Sequence, residues 1–154
     1  MRIDLLEGDL DMLNNQVVLL LLVFAFLQVS LSLAAERQIM QPRVPANKLV
    51  AAQALTSPLA DSPELVEKGK ALYNGKGTCF NCHGKSGEGD GPVAAGLDPS
   101  PRNFHNQDFW RHRTEGEVFW AIKNGLSGTG MIGFDGQLTD EEIWAIIQYL
   151  RSFK

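Results

Sequence analysis

Cysteine and histidine are scarce in this chain, which has only two cysteines and three histidines in 154 residues. So few ligands cannot build a four-cysteine zinc ribbon, and no second pair of Cys or His lies at zinc-finger spacing. A surplus of charge is also lacking, because from Glu36 onward 13 Lys/Arg stand against 14 Asp/Glu. A domain with nearly equal numbers of basic and acidic residues has no basic stripe that could bind DNA or RNA. The sequence therefore predicts no nucleic-acid partner.

Strand patterns are missing as well, whereas helix signals are frequent. Ser62 before Pro63 marks the start of a helix that ends near Asn74. Two capping boxes, Thr114 to Glu117 and Thr139 to Glu142, each precede an apolar pattern of helical period. Glycine, proline and asparagine dominate between 84 and 113, which predicts loops there. The fold class indicated is all-α, with three to five short helices.

The two cysteines stand in the run Cys79-Phe80-Asn81-Cys82-His83. Two thiols at this spacing can each add to one vinyl group of a haem, and the adjoining histidine can bind the iron. A thioredoxin-like dithiol needs a βαβ context that is not visible here, and a disulfide across two residues is strained. The run therefore predicts one covalent haem c, with Cys79, Cys82 and His83 as its protein attachments.

An unbroken apolar run extends from Val17 to Leu27, and the residues then become smaller and more polar. This layout is typical of a secretory signal peptide, with Ser32 and Ala34 before the cut and 1–35 as the segment removed. The alternative is a retained membrane anchor, because 17–35 just reaches across a bilayer.

Neither interpretation explains the acidic residues before the run, where positive charge is expected. A start at Met12 would remove these acids without supplying a lysine or arginine. Both interpretations place the rest of the chain in the periplasm or at the extracytoplasmic face of the membrane, either soluble after cleavage or anchored at its N-terminus. Membrane contact is expected only through 17–35.

Residues 36–61 contain three prolines among small and polar residues and show no sustained apolar face. They are predicted to be an extended linker, with a helical turn allowed at Leu49 to Leu55. The domain that carries the haem motif is then 62–154.

The sixth iron ligand has three candidates in that domain, which offers no other methionine or histidine beyond His83: Met131, His105 and His112. Met131 lies in a glycine-rich loop that is able to bring a thioether onto a haem face. Ordinary core packing is its alternative role. The two histidines stand among polar residues, as solvated surface histidines do, and an imidazole in the sixth place would favour the ferric state.

Taken together, these pieces resemble the class I, mitochondrial-like cytochrome c family over about 63–154. The resemblance rests on a helix with Gly69 and Tyr73 before the haem motif, the methionine loop, and a last helix containing Ile146 and Tyr149. Stretches 89–92, 101–104 and 138–144 resemble small bacterial monohaem cytochromes of respiratory chains.

The resemblance implies further roles for single residues. Met131 falls where the family has its methionine ligand, although Ile132 replaces the usual proline after it. Pro92 matches the family proline whose carbonyl accepts the Nδ1–H of the haem histidine. Arg102 is expected to neutralise a haem propionate. Gly69, which costs a helix about 1 kcal/mol relative to alanine, should allow the last helix to cross closely.

The function expected from these features is electron transfer by one haem c with His83 and Met131 as axial ligands, in an extracytoplasmic respiratory chain. The partners would be redox protein donors and acceptors, and the chain would be an electron carrier rather than an enzyme. One alternative is a haem c subunit of a larger membrane-associated redox complex. The other is a haem-ligand sensor or peroxidase-like enzyme with an open sixth site.

Overall fold

The computed structural model describes residues 15–30 and 43–153, and the chain divides into two compact units, Met1–Gln41 and Pro42–Lys154. The described part of the first unit is a helix, α1, over residues 15–30. Its apolar side chains are exposed from Val17 to Val29. No helix among the described residues is both long and apolar enough to cross a membrane. The predicted cleavage region with Ser32 and Ala34 lies outside the described residues, so signal and anchor both stay predictions.

The described part of the second unit is helical and contains no strand. Its α-helices, in chain order, are α2 (Ala46–Gln53), α3 (Pro63–Asn74), α4 (Phe80–His83), α5 (Gln107–His112), α6 (Glu115–Asn124) and α7 (Asp140–Arg151). A single 3₁₀ turn, Ala94–Gly96, lies in the long connection between α4 and α5. The all-α prediction is confirmed.

Helices α3, α6 and α7 begin at the capping residues that the sequence predicted. The Ser62 hydroxyl accepts a hydrogen bond from the Leu65 N–H at the start of α3, with Pro63 in the first turn. At α6 the Thr114 hydroxyl accepts from the Glu117 N–H, and the Glu117 carboxylate accepts from the Thr114 N–H. The same reciprocal pair opens α7. Each box satisfies two backbone donors that have no partner inside the helix.

Helices α3 and α7 form the centre of the domain and approach each other at Gly69. A Cβ at Gly69 would fall on the carbonyl oxygen of Ala145 and within 2.9 Å of the Tyr149 Cβ. The predicted close crossing is therefore confirmed, with Ala145 rather than Ile146 directly beneath the glycine. Around it pack the largest fully buried side chains of the domain, which are Tyr73, Ile143, Ile146, Ile147 and Leu150.

The segment expected to be an extended linker differs from that expectation where it is described. Helix α2 occupies Ala46–Gln53 and packs against α6, whereas the sequence suggested no more than a helical turn. Ala52 is only 1% exposed, and a Cβ at Gly116 would fall on its carbonyl oxygen and within 2.7 Å of that of Leu55. The docking rests on small residues that show no apolar stripe, so periodicity could not reveal it. Residues 36–42 lie outside the described residues.

Candidate haem site

The two cysteines stand on one helical turn. Cys79 has helical backbone angles (φ −60°, ψ −31°) directly before α4. The amides of Cys82 and His83 both donate to its carbonyl, at 3.3 Å and 2.9 Å. Neither cysteine forms a disulfide, and both are partly buried. Two free thiols and an imidazole on a single turn are the donor set that a covalent haem needs.

His83 is fixed by a hydrogen bond through one ring nitrogen. Its Nδ1 lies 3.0 Å from the carbonyl oxygen of Arg102, and because a carbonyl can only accept, Nδ1 carries the proton. Nε2 is therefore the nitrogen with a lone pair for a metal. Burial lowers the pKa of His83, although the bond to the Arg102 carbonyl opposes that effect. The neutral imidazole needed for coordination is thus favoured, and the ring also stacks on Phe104 at 4.7 Å.

The prediction that the Pro92 carbonyl accepts the Nδ1–H of His83 is wrong, because the accepting carbonyl belongs to Arg102. Pro92 is exposed in a loop whose backbone amides bind the carbonyls of α4. In that loop the amides of Gly89, Gly91 and Val93 donate to the carbonyls of His83, Cys82 and Asn81, at 2.9 Å, 3.1 Å and 3.0 Å. These bonds satisfy carbonyls that a helix end leaves without partners. Gly91 has no room for a side chain, since a Cβ would stand 2.5 Å from the Phe80 carbonyl oxygen.

Tyr73 ties α3 to the end of the haem motif. Its hydroxyl donates to the Gly84 carbonyl at 2.7 Å, and its ring packs edge-on against Tyr149 at 5.3 Å. Burial raises the pKa of Tyr73 far above its ordinary value, so the hydroxyl stays a donor. Sequence reasoning named Tyr73 only as part of the helix and missed this bond. The one available clue was its spacing, one turn after Gly69.

Cys79 is partly buried at the start of the turn. Burial raises the pKa of its thiol to about 12. The thiolate is the reactive form of cysteine, so the folded chain disfavours reaction at Cys79.

Met131 is partly buried and packs against the hydrophobic core. Its N–H donates to the Thr129 hydroxyl at 3.0 Å, and its carbonyl accepts from the Leu126 N–H at 2.9 Å. The loop is also held close to the end of α6, where a Cβ on Gly133 would meet the Asn124 backbone at 2.6 Å. These contacts restrain the loop although Ile132 stands where the family usually has proline.

The two other histidines are exposed, and each bonds a backbone carbonyl. His105 Nε2 lies 2.8 Å from the Ser86 oxygen, and its ring lies 5.2 Å from that of Phe153. His112 Nδ1 lies 2.8 Å from the Asp108 oxygen, within α5. The structure thus gives both residues roles on the surface of the domain.

Arg102 is partly buried, with its guanidinium 5.3 Å from the centre of the Phe109 ring. Burial lowers its pKa, and the nearby positive charges of Arg113 and Arg43 lower it further. An anionic group would relieve this repulsion, as expected for a residue that meets a propionate. Sequence reasoning named the side chain but missed the role of its backbone carbonyl.

The site fits haem better than a bare metal ion. Within 15–30 and 43–153, no three His, Cys, Asp or Glu side chains come together as a ligand set. Iron in a haem needs no such set, because the porphyrin supplies four nitrogen ligands and the protein supplies axial groups. The described residues present two free thiols, an imidazole with a defined tautomer and a thioether packed against the core, which are groups able to hold a haem.

Comparison with known proteins agrees with this chemistry. The family model for cytochrome c matches residues 66–154. A chain of the reducing HAO-like protein complex of Kuenenia stuttgartiensis is similar to this one, with 32% sequence identity and a TM-score of 0.56. The similarity covers 63% of this chain and 47% of that one, so this chain spans about half of its relative's length. No curated protein sequence gives a significant match.

The family match covers more than half of the chain and includes Cys79, Cys82, His83 and Met131. Covalent attachment of haem c and electron transfer through it are general properties of that family. The chain belongs to the cytochrome c family.

Proposed function

We propose that this chain is a one-electron carrier that holds a single haem c through Cys79 and Cys82, with His83 and Met131 as axial ligands. A haem so held supplies the Fe(III)/Fe(II) couple when bound. The observation that carries the proposal is the state of His83, whose Nδ1–H is engaged by the Arg102 carbonyl so that Nε2 is the donor atom. One haem motif in the sequence supports one haem per chain.

The chain's own residues contribute rigidity. The Arg102 carbonyl and the Phe104 ring fix the imidazole, and the bonds of Thr129 and Leu126 fix the Met131 backbone. Ligands that are held in place in both oxidation states keep the reorganisation small when the electron moves. The guanidinium of Arg102 is proposed to pair with a propionate, which would offset its unfavourable proximity to Arg113 and Arg43.

The proposed location is the periplasm or the extracytoplasmic face of the membrane, where cytochrome c domains typically work. The apolar run of 17–27 supports export, either as a cleaved signal or as an anchor. The carrier would serve a respiratory chain.

A second candidate is a haem c subunit of a larger redox complex. It is favoured by the similarity to a chain that belongs to a reducing HAO-like protein complex. An open-site sensor or peroxidase-like enzyme is disfavoured, because Met131 occupies a restrained loop packed on the core. Membrane fractionation and the size of the native particle separate a free carrier from a subunit, and carbon monoxide binding to the ferrous protein would reveal an open site.

The axial ligation is tested by Met131→Ala, with His105→Ala and His112→Ala as matched controls. The ferric wild type should show the far-red charge-transfer band of thioether–iron coordination, and both histidine variants should keep it. Met131→Ala should lose the band and have a lower reduction potential. A Met131→Ala protein with the wild-type spectrum excludes the proposed ligand. A wild type that lacks the band, and whose haem spectrum changes in only one histidine variant, points to that histidine instead.

The covalent attachment is tested by mass. Acid-acetone extraction should leave one haem mass on the polypeptide and no colour in the solvent. Cys82→Ser should retain a single thioether bond. A colourless polypeptide after extraction from the wild type contradicts the proposal.

A further inference from the structure

Three segments without Asp, Glu, Lys or Arg meet around the haem motif: 77–84, 91–97 and 124–134. The first two are joined by hydrogen bonds, from Gly91 N–H to the Cys82 carbonyl and from Val93 N–H to the Asn81 carbonyl. The second and third touch at Leu97, whose Cδ2 lies 2.7 Å from where a Cβ on Gly130 would stand. The surface of these three segments is called the neutral face below.

Two large aliphatic side chains project from the neutral face. Ile132 is 64% exposed and Val93 is 53% exposed. Ile132 follows Met131 directly, and Val93 lies in the loop bonded to α4. In the described part of the second unit only two other large apolar residues are exposed, Val50 and Leu55, and both belong to α2 or its end. One of these side chains thus follows the proposed ligand Met131 directly, and the other lies in the loop bonded to the turn that carries His83.

The charged residues that border the neutral face along the chain are of both signs. The residues that bound its three segments along the chain are Lys76, Lys85, Lys123, Asp90, Asp98 and Asp135. Lys76 is also paired with Glu142 at 2.7 Å, and Lys123 with Asp140 at 2.7 Å. Three lysines and three aspartates thus border the segments along the chain, and no block of like charge runs along them, so steering by the segments themselves is weak.

We propose that the neutral face is the docking surface for redox partners, and that it selects a protein whose own docking surface is uncharged and apolar. The inference rests on the proposed function. A charged partner surface would lose hydration against this face and find no counter-charge there, which disfavours that complex. An apolar surface meets Val93 and Ile132 without that penalty.

Docking of this kind has a kinetic signature. Opposite charges steer many redox partners together, so their association slows steeply as salt rises. The neutral face provides little steering, and association through it should depend only weakly on ionic strength. A small apolar contact also allows rapid release after the electron has moved.

The test uses electron self-exchange between ferric and ferrous copies of the haem-loaded protein, measured from NMR line broadening. A second copy presents the same neutral face and so has the proposed partner chemistry. The wild-type rate should change by less than about twofold between low and high salt, since two uncharged faces have little to screen. Ile132→Lys and Val93→Lys should each slow exchange by about tenfold at low salt, because like charges then oppose each other, and salt should restore much of that loss.

Val50→Lys is the matched control, because it adds the same charge at an exposed valine on α2 and should stay within about twofold of the wild type. Ile132→Ser removes the apolar contact without adding charge, and should slow exchange without creating salt dependence. Circular dichroism and the reduction potential confirm that each variant is folded with its ligands in place.

Equal rates for Ile132→Lys, Val93→Lys and Val50→Lys overturn the neutral face as the docking surface. A wild-type rate that changes about tenfold with salt overturns the partner chemistry, because it requires charge at the contact. Voltammetry separates these failures from failure of the proposed function. A protein that cycles reversibly but violates the self-exchange pattern loses only the docking inference, whereas one that does not cycle loses both.

Discussion

Two helix crossings in this domain use the same device and differ in what surrounds it. In α3, Gly69 lets the backbone of α7 approach at Ala145, and in α6, Gly116 lets α2 approach at Ala52. Helix α7 is buried from Ile143 through Leu150, whereas α2 buries only Ala52 and leaves Val50 80% exposed. The stability that a glycine contact adds thus depends on how many side chains of the two helices are buried around it.

The difference also predicts how each crossing responds to damage. Helices α3 and α7 cannot separate without opening the core, so a clash at Gly69 should lower the stability of the whole domain. Helix α2 can leave α6 while most of that core remains. The cost of a clash at Gly116 is therefore limited by the free energy with which α2 docks.

The largest effect is expected for Gly69→Val, which should lower the free energy of unfolding by about 3 kcal/mol, at the upper end of overpacking costs. The reason is that its Cβ meets backbone of α7, which cannot rotate away. Denaturant unfolding followed by haem absorbance and circular dichroism measures it. Gly96→Ala is the control and should change stability by less than about 0.5 kcal/mol, because its Cβ meets nothing within 4 Å. Wild-type stability in Gly69→Val would contradict the close crossing.

Gly116→Val should cost less, about 1–2 kcal/mol, and should release α2 rather than unfold the domain. Below the main unfolding transition, we expect a small loss of the helical circular dichroism signal and an unchanged haem spectrum. A cost as large as that of Gly69→Val would mean that α2 unfolds only together with α7, which would remove the distinction between the two crossings.

Hydrogen exchange compares the crossings without any mutation. Amides of α7 should exchange only through global unfolding, whereas those of α2 should exchange through local release, at least about tenfold faster once corrected for intrinsic rates. Mass spectrometry of peptides from the two helices provides the measurement. Equal protection of both helices would show one cooperative unit.

The smallest effect concerns an ion pair between the end of α3 and the start of α7. The hydrogen bond from Lys76 is the main cause that lowers the pKa of Glu142 from its ordinary value of 4.5. A carboxyl with a lowered folded pKa adds stability above pH 4.5 and loses it as pH falls through the folded value. Glu142→Gln should therefore lower Tm slightly at pH 7 and not at pH 3. A difference that persists at pH 3 would assign the effect to helix capping.

Much of the crossing at Gly69 and of the helix framework was predictable because local rules act within a few residues. Ser62, Thr114 and Thr139 cap helices through neighbours three positions away, as their sequence context indicated. The cysteine spacing needs only one helical turn. A glycine that costs helix stability likewise indicated a close neighbour, and α7 is that neighbour.

The α2 crossing and the partner of His83 could not be predicted in the same way. Helix α2 lies before the region that matches the family, and its docking depends on small residues and backbone atoms. The bond to His83 comes from a residue 19 positions away whose contribution is a carbonyl, which every residue possesses. The resemblance to the family therefore pointed to Pro92, whereas the structure has the carbonyl of Arg102 in that role.

The sequence by itself determined the helical class, the helix starts and the haem chemistry, because caps, apolar period and the spacing of Cys79, Cys82 and His83 are local properties. Only the tertiary structure decided which carbonyl orients His83, that α2 joins the domain, and that uncharged segments meet at Leu97 beside Met131. Those outcomes depend on loop closure and on contacts between backbone atoms far apart in the chain. Such contacts leave no pattern in residue type, so folding alone selects them.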